Sequence, residues 1–450
     1  MKKSLYQSRT SGHFYDEWES LPEEIREKEK RQKLFSYLAH ALNTSPFYKE
    51  RLRLVSEASE FPLKDVPILE SNDLREVLPP KSDLLVQKPN SGFTVFQSGG
   101  TTGVPKTTLF STEELDGLDL PNARGFFATG MTDSDRVANL WASGALYMTF
   151  VHMNRILQQY GCMSFPFANH SPSDFIYEVT KAFQINCFTG VGSVMLNALR
   201  EMTAFGDIKI EKIYYGGEHY YETDKKELHE KFGTKTILAP GYGTVDTWYL
   251  GYQCLFTDTG VFHTHDDQCY VEIVNEDSGK HCEKEEVGMV YATAFPRKLT
   301  PIVRYRVGDK AKWLKDLCPC GRTTPLFKLL GRGDDVLRIG YDSIDYNSIQ
   351  DCVLQTPGLL GSIQIEKQRE NGKDRLVIRV ETDAPSENYP SLSQALENRV
   401  LSSRPSLKDI IETGRIFPLK IELARTNQLR RNSRTGKLIR VIDFNGESNP

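Results

Sequence analysis

The segment Gln97–Lys106, QSGGTTGVPK, limits what this chain can fold into more than any other stretch. Three glycines and two threonines follow a short apolar run, Phe93–Phe96, that reads as a strand. Glycines let backbone N–H groups close on a phosphate. Ser98 and the threonines add hydroxyl donors, and Lys106 adds charge. The segment is not a Walker A loop, because Pro105 rather than glycine precedes the lysine and no strong helix follows. A flexible turn is the competing reading of the same residues. From Phe93 to about Val151 short strands alternate with helical stretches, and Val271–Val274, Gly288–Thr293 and Pro301–Tyr305 read as further strands. The mixture predicts an α/β body with several sheets.

At 450 residues the chain exceeds one ordinary compact core, so two domains are expected. The charged, helical stretch Leu21–Leu52 places Leu34, Phe35 and Leu38 on one face, and Pro46 and Pro62 break the pattern toward its end and beyond. A boundary falls in the polar, glycine-rich run Gly331–Gly340, GRGDDVLRIG. Beyond it, Leu376–Val380 and Lys420–Leu423 read as strands and Leu392–Leu401 as a helix, the content of a small α+β domain. The expected division is 1–333 and 334–450. Lys and Arg number 56 and Asp and Glu 60, a net charge of −4 that predicts no bulk attraction to nucleic acid or membrane. Met1–Tyr15 lacks the apolar stretch of a signal peptide, and no run approaches the roughly 20 apolar residues that span a bilayer. The expected compartment is the cytoplasm. There, eight cysteines are buried thiols or metal ligands rather than a disulfide framework.

Four other stretches come after the glycine-rich segment: GYGTVD at Gly241–Asp246, YRVGD at Tyr305–Asp309, GRGDD at Gly331–Asp335 and RTGKLIR at Arg434–Arg440. Each is weak alone. Together, in this order, the five resemble the motif series of the adenylate-forming superfamily of acyl- and aryl-CoA synthetases, adenylation domains and luciferases. They span about three quarters of the chain. CPCGRTTP, at Cys318–Pro325 just before GRGDD, resembles an element of the phenylacetate–CoA ligase branch.

The resemblance implies a large multi-sheet domain that binds ATP and a carboxylic acid, with a small mobile C-terminal lid. It implies activation of the acid to acyl-AMP, followed by transfer to coenzyme A. An acyl carrier protein is the alternative acceptor, and a nucleotide-binding homologue without chemistry is the alternative class. By the resemblance, Ser98, Gly100, Thr101, Thr102, Gly103 and Lys106 cradle the β- and γ-phosphates, while Gly99 stands where many members have serine. Asp246 takes the place of a magnesium-binding glutamate, and Thr244 contacts the α-phosphate. Gly217, Glu218, Tyr242 and Gly243 lie on the adenine side, with adenine stacked on an aromatic ring. Asp309 holds the ribose, Arg332 touches ribose or phosphates, and Asp334 is the hinge. Lys437 closes over the α-phosphate and the attacking carboxylate. Trp141–Asn154 and Phe188–Met195 are expected to line the acid pocket. Their aromatic and glycine content suits an aryl or apolar acid, and the first segment has no aspartate to pair with an α-amine. Cys318 and Cys320 form a tight thiolate pair. With Cys254 and His263, placed by the resemblance, they make a Cys₃His set for a structural zinc ion. His265 is an alternative to His263, and Cys269 and Cys282 are spare candidates.

Overall fold

The computed structural model describes residues 3–52, 63–87, 92–98, 106–217, 220, 222–333, 335–339, 342–370, 373–432 and 436–443. The chain divides into two compact units, Met1–Tyr220 with Lys225–Leu330, and Gly331–Pro450 with Tyr221–Asp224.

The first unit opens with a helix over Glu23–Thr44, followed by a second over Pro46–Arg51. The break at Ser45 is explained by Pro46, which suits the first position of a helix but disfavours helical geometry in the residue before it. Leu34, Tyr37, Leu38 and Ala41 are buried at helical spacing, whereas Phe35 is 47% exposed. The expected inward position of Phe35 is therefore wrong, because one residue past Leu34 is a rotation of about 100° off the buried stripe.

Strands β1 (Phe93–Gln97) and β2 (Thr107–Ser111) form an antiparallel hairpin whose last pair is Gln97 with Thr107. The glycine-rich segment is the connection between them. A parallel sheet comes next, made of β3 (Arg136–Leu140), β4 (Met163–Pro166), β5 (Cys187–Val191), β6 (Lys212–Gly216) and β7 (Thr236–Leu238), in the order β4-β3-β5-β6-β7. All five residues of β5 are buried, as expected of a strand covered on both faces. Helices Met148–Tyr160, Ser173–Phe183 and Gly192–Met202 make the crossovers that parallel pairing requires.

The third sheet has seven strands, β8 (Tyr242–Thr244), β9 (Trp248–Tyr252), β10 (Val261–Thr264), β11 (Cys269–Val274), β12 (Gly288–Ala294), β13 (Ile302–Trp313) and β14 (Leu326–Arg332), in the order β11-β12-β13-β14-β10-β9-β8. β13 runs well beyond the expected Pro301–Tyr305. Its register against β12 jumps between the pairs Tyr291–Arg306 and Met289–Lys310, and Gly308 takes a φ of 90°. This bulge lies inside YRVGD and sets the direction of Asp309.

The side chain of Arg297, in the turn between β12 and β13, is fully buried. Its Nε donates to the backbone oxygen of Asp246 at 3.0 Å, and Nη1 donates to Glu114 at 3.2 Å. Nη2 donates to Thr108 Oγ1 and to the Leu109 carbonyl. One guanidinium thus ties the β8–β9 turn to β2 and to the capped helix Thr112–Gly117.

The second unit has its own core, which includes Leu337, Ile349, Ile365, Ile378, Leu396 and Leu407. Strands β15 (Val336–Ile339) and β16 (Asp342–Asp345) pair as a hairpin. A mixed sheet of β17 (Ile363–Glu370), β18 (Lys373–Glu381), β19 (Lys420–Ala424) and β20 (Val441–Asp443) has the order β19-β18-β17-β20. Helix Tyr389–Ser403 contains the expected Leu392–Leu401. Among the described residues no helix is long and apolar enough to cross a membrane.

Removing one partner of a buried ion pair is destabilising by about 3–5 kcal/mol, because the other charge stays buried. Arg297→Met is accordingly expected to lower the urea unfolding free energy by about that amount. Glu114→Gln added to Arg297→Met should recover part of the loss. A midpoint unchanged by Arg297→Met would contradict the role given to this guanidinium.

Candidate active site

The two ends of the β1–β2 hairpin are locked together beside the glycine-rich segment. Ser98 N donates to the Lys106 carbonyl at 2.8 Å, and Lys106 N donates to Ser98 Oγ at 2.9 Å. Gly100, Thr101, Thr102 and Gly103 themselves lie outside the described residues. Lys106 turns inward. Its Nζ lies 2.5 Å from Asp246 Oδ2 and 2.5 Å from the Tyr305 hydroxyl. The side chains of Lys106 and Asp246 are 8% and 2% exposed. Burial alone would pull the lysine pKa down, but Asp246 and Tyr305 overcome it and raise the pKa, so the ammonium stays charged. Asp246 Oδ1 is buried and has no hydrogen-bond partner among the described residues. A buried carboxylate oxygen left open in this way fits a hard divalent cation such as magnesium, whose preferred ligands are carboxylate oxygens.

The turn that carries Asp246 is shaped by glycine and by hydroxyls. A Cβ on Gly243 would sit 1.8 Å from the Trp248 carbonyl, so only glycine permits the tight β8–β9 hairpin. The Thr244 hydroxyl accepts the backbone N–H groups of Asp246 and Thr247, both at 3.2 Å. It therefore braces the aspartate's own loop. On β8, the Tyr242 hydroxyl donates to Asp309 Oδ2 at 2.7 Å. Tyr242 also packs against Phe262 and Phe327, which leaves its ring in an aromatic wall of the kind expected beside a base. The bulge in β13 and the aromatic wall together hold Asp309, whose carboxylate suits a pair of vicinal hydroxyls.

Lys106, Asp246, Tyr242, Asp309 and the Ser98 brace thus lie in the first unit. Gly217 comes after β6 at a φ of 78°, and Glu218 lies outside the described residues. Trp141 caps the ends of the parallel strands. Its indole N–H donates to Thr189 Oγ1 at 3.0 Å, and a Cβ on Gly216 would come within 2.9 Å of its ring. Arg332 is the last residue of β14, and Asp334 lies outside the described residues. Lys437 belongs to the second unit, where its carbonyl accepts Asn432 N at 2.8 Å and Arg431 bridges to Leu438. Two residues of this arrangement escaped the sequence reading. Tyr305 was visible only as the first letter of YRVGD, and nothing local marks Arg297.

Cys254, His263, Cys318 and Cys320 are all buried, and their ligand atoms lie within 4.8 Å of one another. Cys254 Sγ is 3.6 Å from Cys318 Sγ, and Cys320 Sγ is 3.5 Å from His263 Nε2. His263 Nδ1 meets Thr324 Oγ1 at 3.1 Å, which leaves Nε2 facing the sulfurs. In both loops the backbone N–H two residues on points at sulfur, Phe256 to Cys254 at 3.4 Å and Arg322 to Cys320 at 3.5 Å. Three sulfurs and one imidazole, all buried and this close together, fit a structural zinc ion. His265 does not join them, since its Nδ1 faces Arg124 Nη1 at 3.3 Å and burial holds its pKa well below the usual range. Cys269 instead faces the His265 carbonyl, and Cys282 is also outside the group.

The sequence matches the family described as AMP-binding enzyme over residues 15–293. It is 24% identical to a phenylacetate-coenzyme A ligase of Thermus thermophilus, covering 96% of this chain and 99% of that one. It is 23% identical to the enzyme of the same name from Pseudomonas putida, covering 90% and 91%. The structure resembles 2-hydroxyisobutyryl-CoA ligase in the postadenylation state in complex with 2-HIB-AMP, with a TM-score of 0.77, 22% identity and coverage of 95% and 91%. A complex of that ligase with 2-HIB-AMP and CoA in the thioesterification state gives a TM-score of 0.63 at 23% identity, again covering 95% and 91%. These structural likenesses establish the fold. The family match takes in more than half of the sequence, together with the hairpin that holds Ser98 and Lys106 and the turn that holds Asp246, and the chain belongs to the AMP-binding enzyme family.

Proposed function

We propose that the protein is an AMP-forming acid–thiol ligase. It joins a carboxylic acid to ATP, releases pyrophosphate, and passes the acyl group from acyl-AMP to coenzyme A. One observation carries the reading, the buried Lys106–Asp246 pair with Asp246 Oδ1 left open, in a chain of the AMP-binding enzyme family. The near-full-length likeness to two phenylacetate-coenzyme A ligases supports coenzyme A over a carrier protein as acceptor.

Adenylation brings a carboxylate against a polyphosphate, so the protein must supply positive charge and orientation. We assign Lys106 to the phosphates, Asp309 to the ribose hydroxyls and Tyr242 to the base. Asp246 would hold a magnesium ion, which when bound would offset phosphate charge. Arg332, at the end of β14, would meet ribose or phosphate. Lys437 would neutralise charge on the α-phosphate during attack. Residues 1–333 would form the ATP- and acid-binding domain and 334–450 the lid. The aromatic segments Trp141–Asn154 and Phe188–Met195 support an aryl or apolar acid. Cys254, His263, Cys318 and Cys320 would hold zinc as a cross-link between two loops of the large unit, contributing to folding stability rather than to chemistry.

The test is acid-dependent exchange of labelled pyrophosphate into ATP across aryl, fatty and amino acids. At least one aryl or apolar acid should support exchange. In Lys437→Ala exchange should fall by roughly a hundredfold or more, while ATP affinity changes little. Thiol transfer from supplied acyl-AMP should survive in that variant. Loss of both half-reactions in equal measure would count against the lysine, and no exchange with any acid would count against the reading as a whole.

Elemental analysis of gently purified protein should find about one zinc per chain, the load of one closed site. Cys320→Ser should lower zinc content and melting temperature without changing the order of acid preference. Metal-free protein with an unaltered melting temperature would return the four residues to reduced thiols beside a histidine.

A further inference from the structure

We propose that Tyr305 is a positioning residue for nucleotide binding. Its phenol and Asp246 Oδ2 together pin the Lys106 ammonium, which reserves Asp246 Oδ1 for the divalent cation that accompanies ATP. The inference rests on the ATP-dependent reading above and assigns a further residue to that same site.

The geometry divides one carboxylate between two cations. Lys106 Nζ lies 2.5 Å from Asp246 Oδ2 and 2.5 Å from the Tyr305 hydroxyl, and 4.9 Å from the centre of the Tyr305 ring. The other oxygen, Oδ1, is buried and unpartnered among the described residues. Leaving such an oxygen bare is costly in a low-dielectric interior, so the bound state must supply a positive partner. Lysine has three N–H donors on a flexible stem, and with two of them fixed the third is left to meet a phosphate oxygen.

Tyr305 can hold this position because its backbone is clamped on both sides. It pairs with Ala292 of β12 and bridges to Leu69, with Leu69 N donating to the Arg304 carbonyl at 3.0 Å and Arg306 N to the Leu69 carbonyl at 3.0 Å. The residue is 3% exposed. Burial, reinforced by Asp246, raises the phenol pKa, so the oxygen is a neutral acceptor that adds no charge of its own. Without it, the ammonium is free to swing across both carboxylate oxygens and compete with the cation for Oδ1.

The test is binding of Mg·ATP by isothermal titration calorimetry, without acid, so that it does not depend on knowing the substrate. Tyr305→Phe keeps the ring but removes the acceptor, and should raise the dissociation constant about tenfold, the scale of a lost hydrogen bond to a charged group. Lys106→Met should also weaken binding, and the double variant should bind within about twofold of Lys106→Met alone, because Tyr305 acts through the lysine. Independent, multiplying losses would overturn the proposal, as would Tyr305→Phe binding like the unaltered protein. A second measurement does not need the tyrosine variant. Electron paramagnetic resonance should show nucleotide-free Lys106→Met binding Mn²⁺ at least about fivefold more tightly than the unaltered protein, since both oxygens of Asp246 are then open. Equal Mn²⁺ binding would also overturn it. Failure of pyrophosphate exchange with the couplings intact would sink the ligase reading and leave this one standing. Exchange with additive losses would do the reverse.

Discussion

The structure depends on one buried carboxylate that is only half satisfied. Charges that leave water must be paired, and Asp246 is paired on one oxygen by Lys106 while the other stays open. That arrangement persists only if the backbone around it cannot relax. Arg297 supplies the restraint from behind, by binding the Asp246 carbonyl, Glu114 and β2 with a single guanidinium. Gly243 and Thr244 supply it from the front, through a hairpin too tight for a side chain and a hydroxyl that accepts two backbone N–H groups. The glycine-rich segment is then held at both ends, by Ser98 and by the lysine that reaches the aspartate.

Behind β9 and β10, a second set of buried charges ties the N-terminal segment to the same sheet. Glu19 pairs with Arg322 and also accepts the Tyr252 hydroxyl, while Arg26 and the indole N–H of Trp18 both bind Asp266. Arg124 spans Asp16 and Asp267, and although burial would raise the Asp267 carboxyl, the guanidinium holds it well below the usual range. His13 meets the Cys320 carbonyl at 2.9 Å, so the first residues of the chain also cover the cysteine loop. None of these pairs includes Lys106 or Asp246. The cysteine and histidine group has the same character, because it joins the Cys254 and Cys318–Cys320 loops and contains none of the residues assigned to ATP.

Local chemistry made much of this readable in advance. The apolar run Phe93–Phe96 read as a strand, and it is one, paired with Thr107–Ser111, while the residues of the glycine-rich segment between Ser98 and Lys106 lie outside the described residues. The pattern of Leu34 and Leu38 marked a helix face correctly, but Phe35 showed that apolar character alone does not place a side chain. Tertiary features were hidden. YRVGD read as the end of a short strand, whereas the bulge around Gly308 that aims Asp309 arises from pairing with β12, where Arg306 meets Tyr291 and Lys310 meets Met289. The partnership of Tyr305 with Lys106 joins residues 199 apart, and no spacing rule reaches that far. The choice between His263 and His265 was equally closed to periodicity, because two histidines two residues apart look alike in sequence, whereas only His263 falls within β10. In the structure the His263 ring has Thr324 beside it and lies with the three cysteines, whereas the His265 ring has Arg124 beside it.

The central claim is that a carboxylate attacks the α-phosphorus of ATP at a site built on Lys106 and Asp246. The most direct measurement uses an accepted acid labelled with oxygen-18 in its carboxyl group. Attack on the α-phosphorus and then transfer to a thiol leaves one labelled oxygen on AMP. Mass spectrometry of the products should find AMP carrying one heavy oxygen and pyrophosphate carrying none. Heavy oxygen in inorganic phosphate alongside ADP would instead show an acyl-phosphate route and contradict the account.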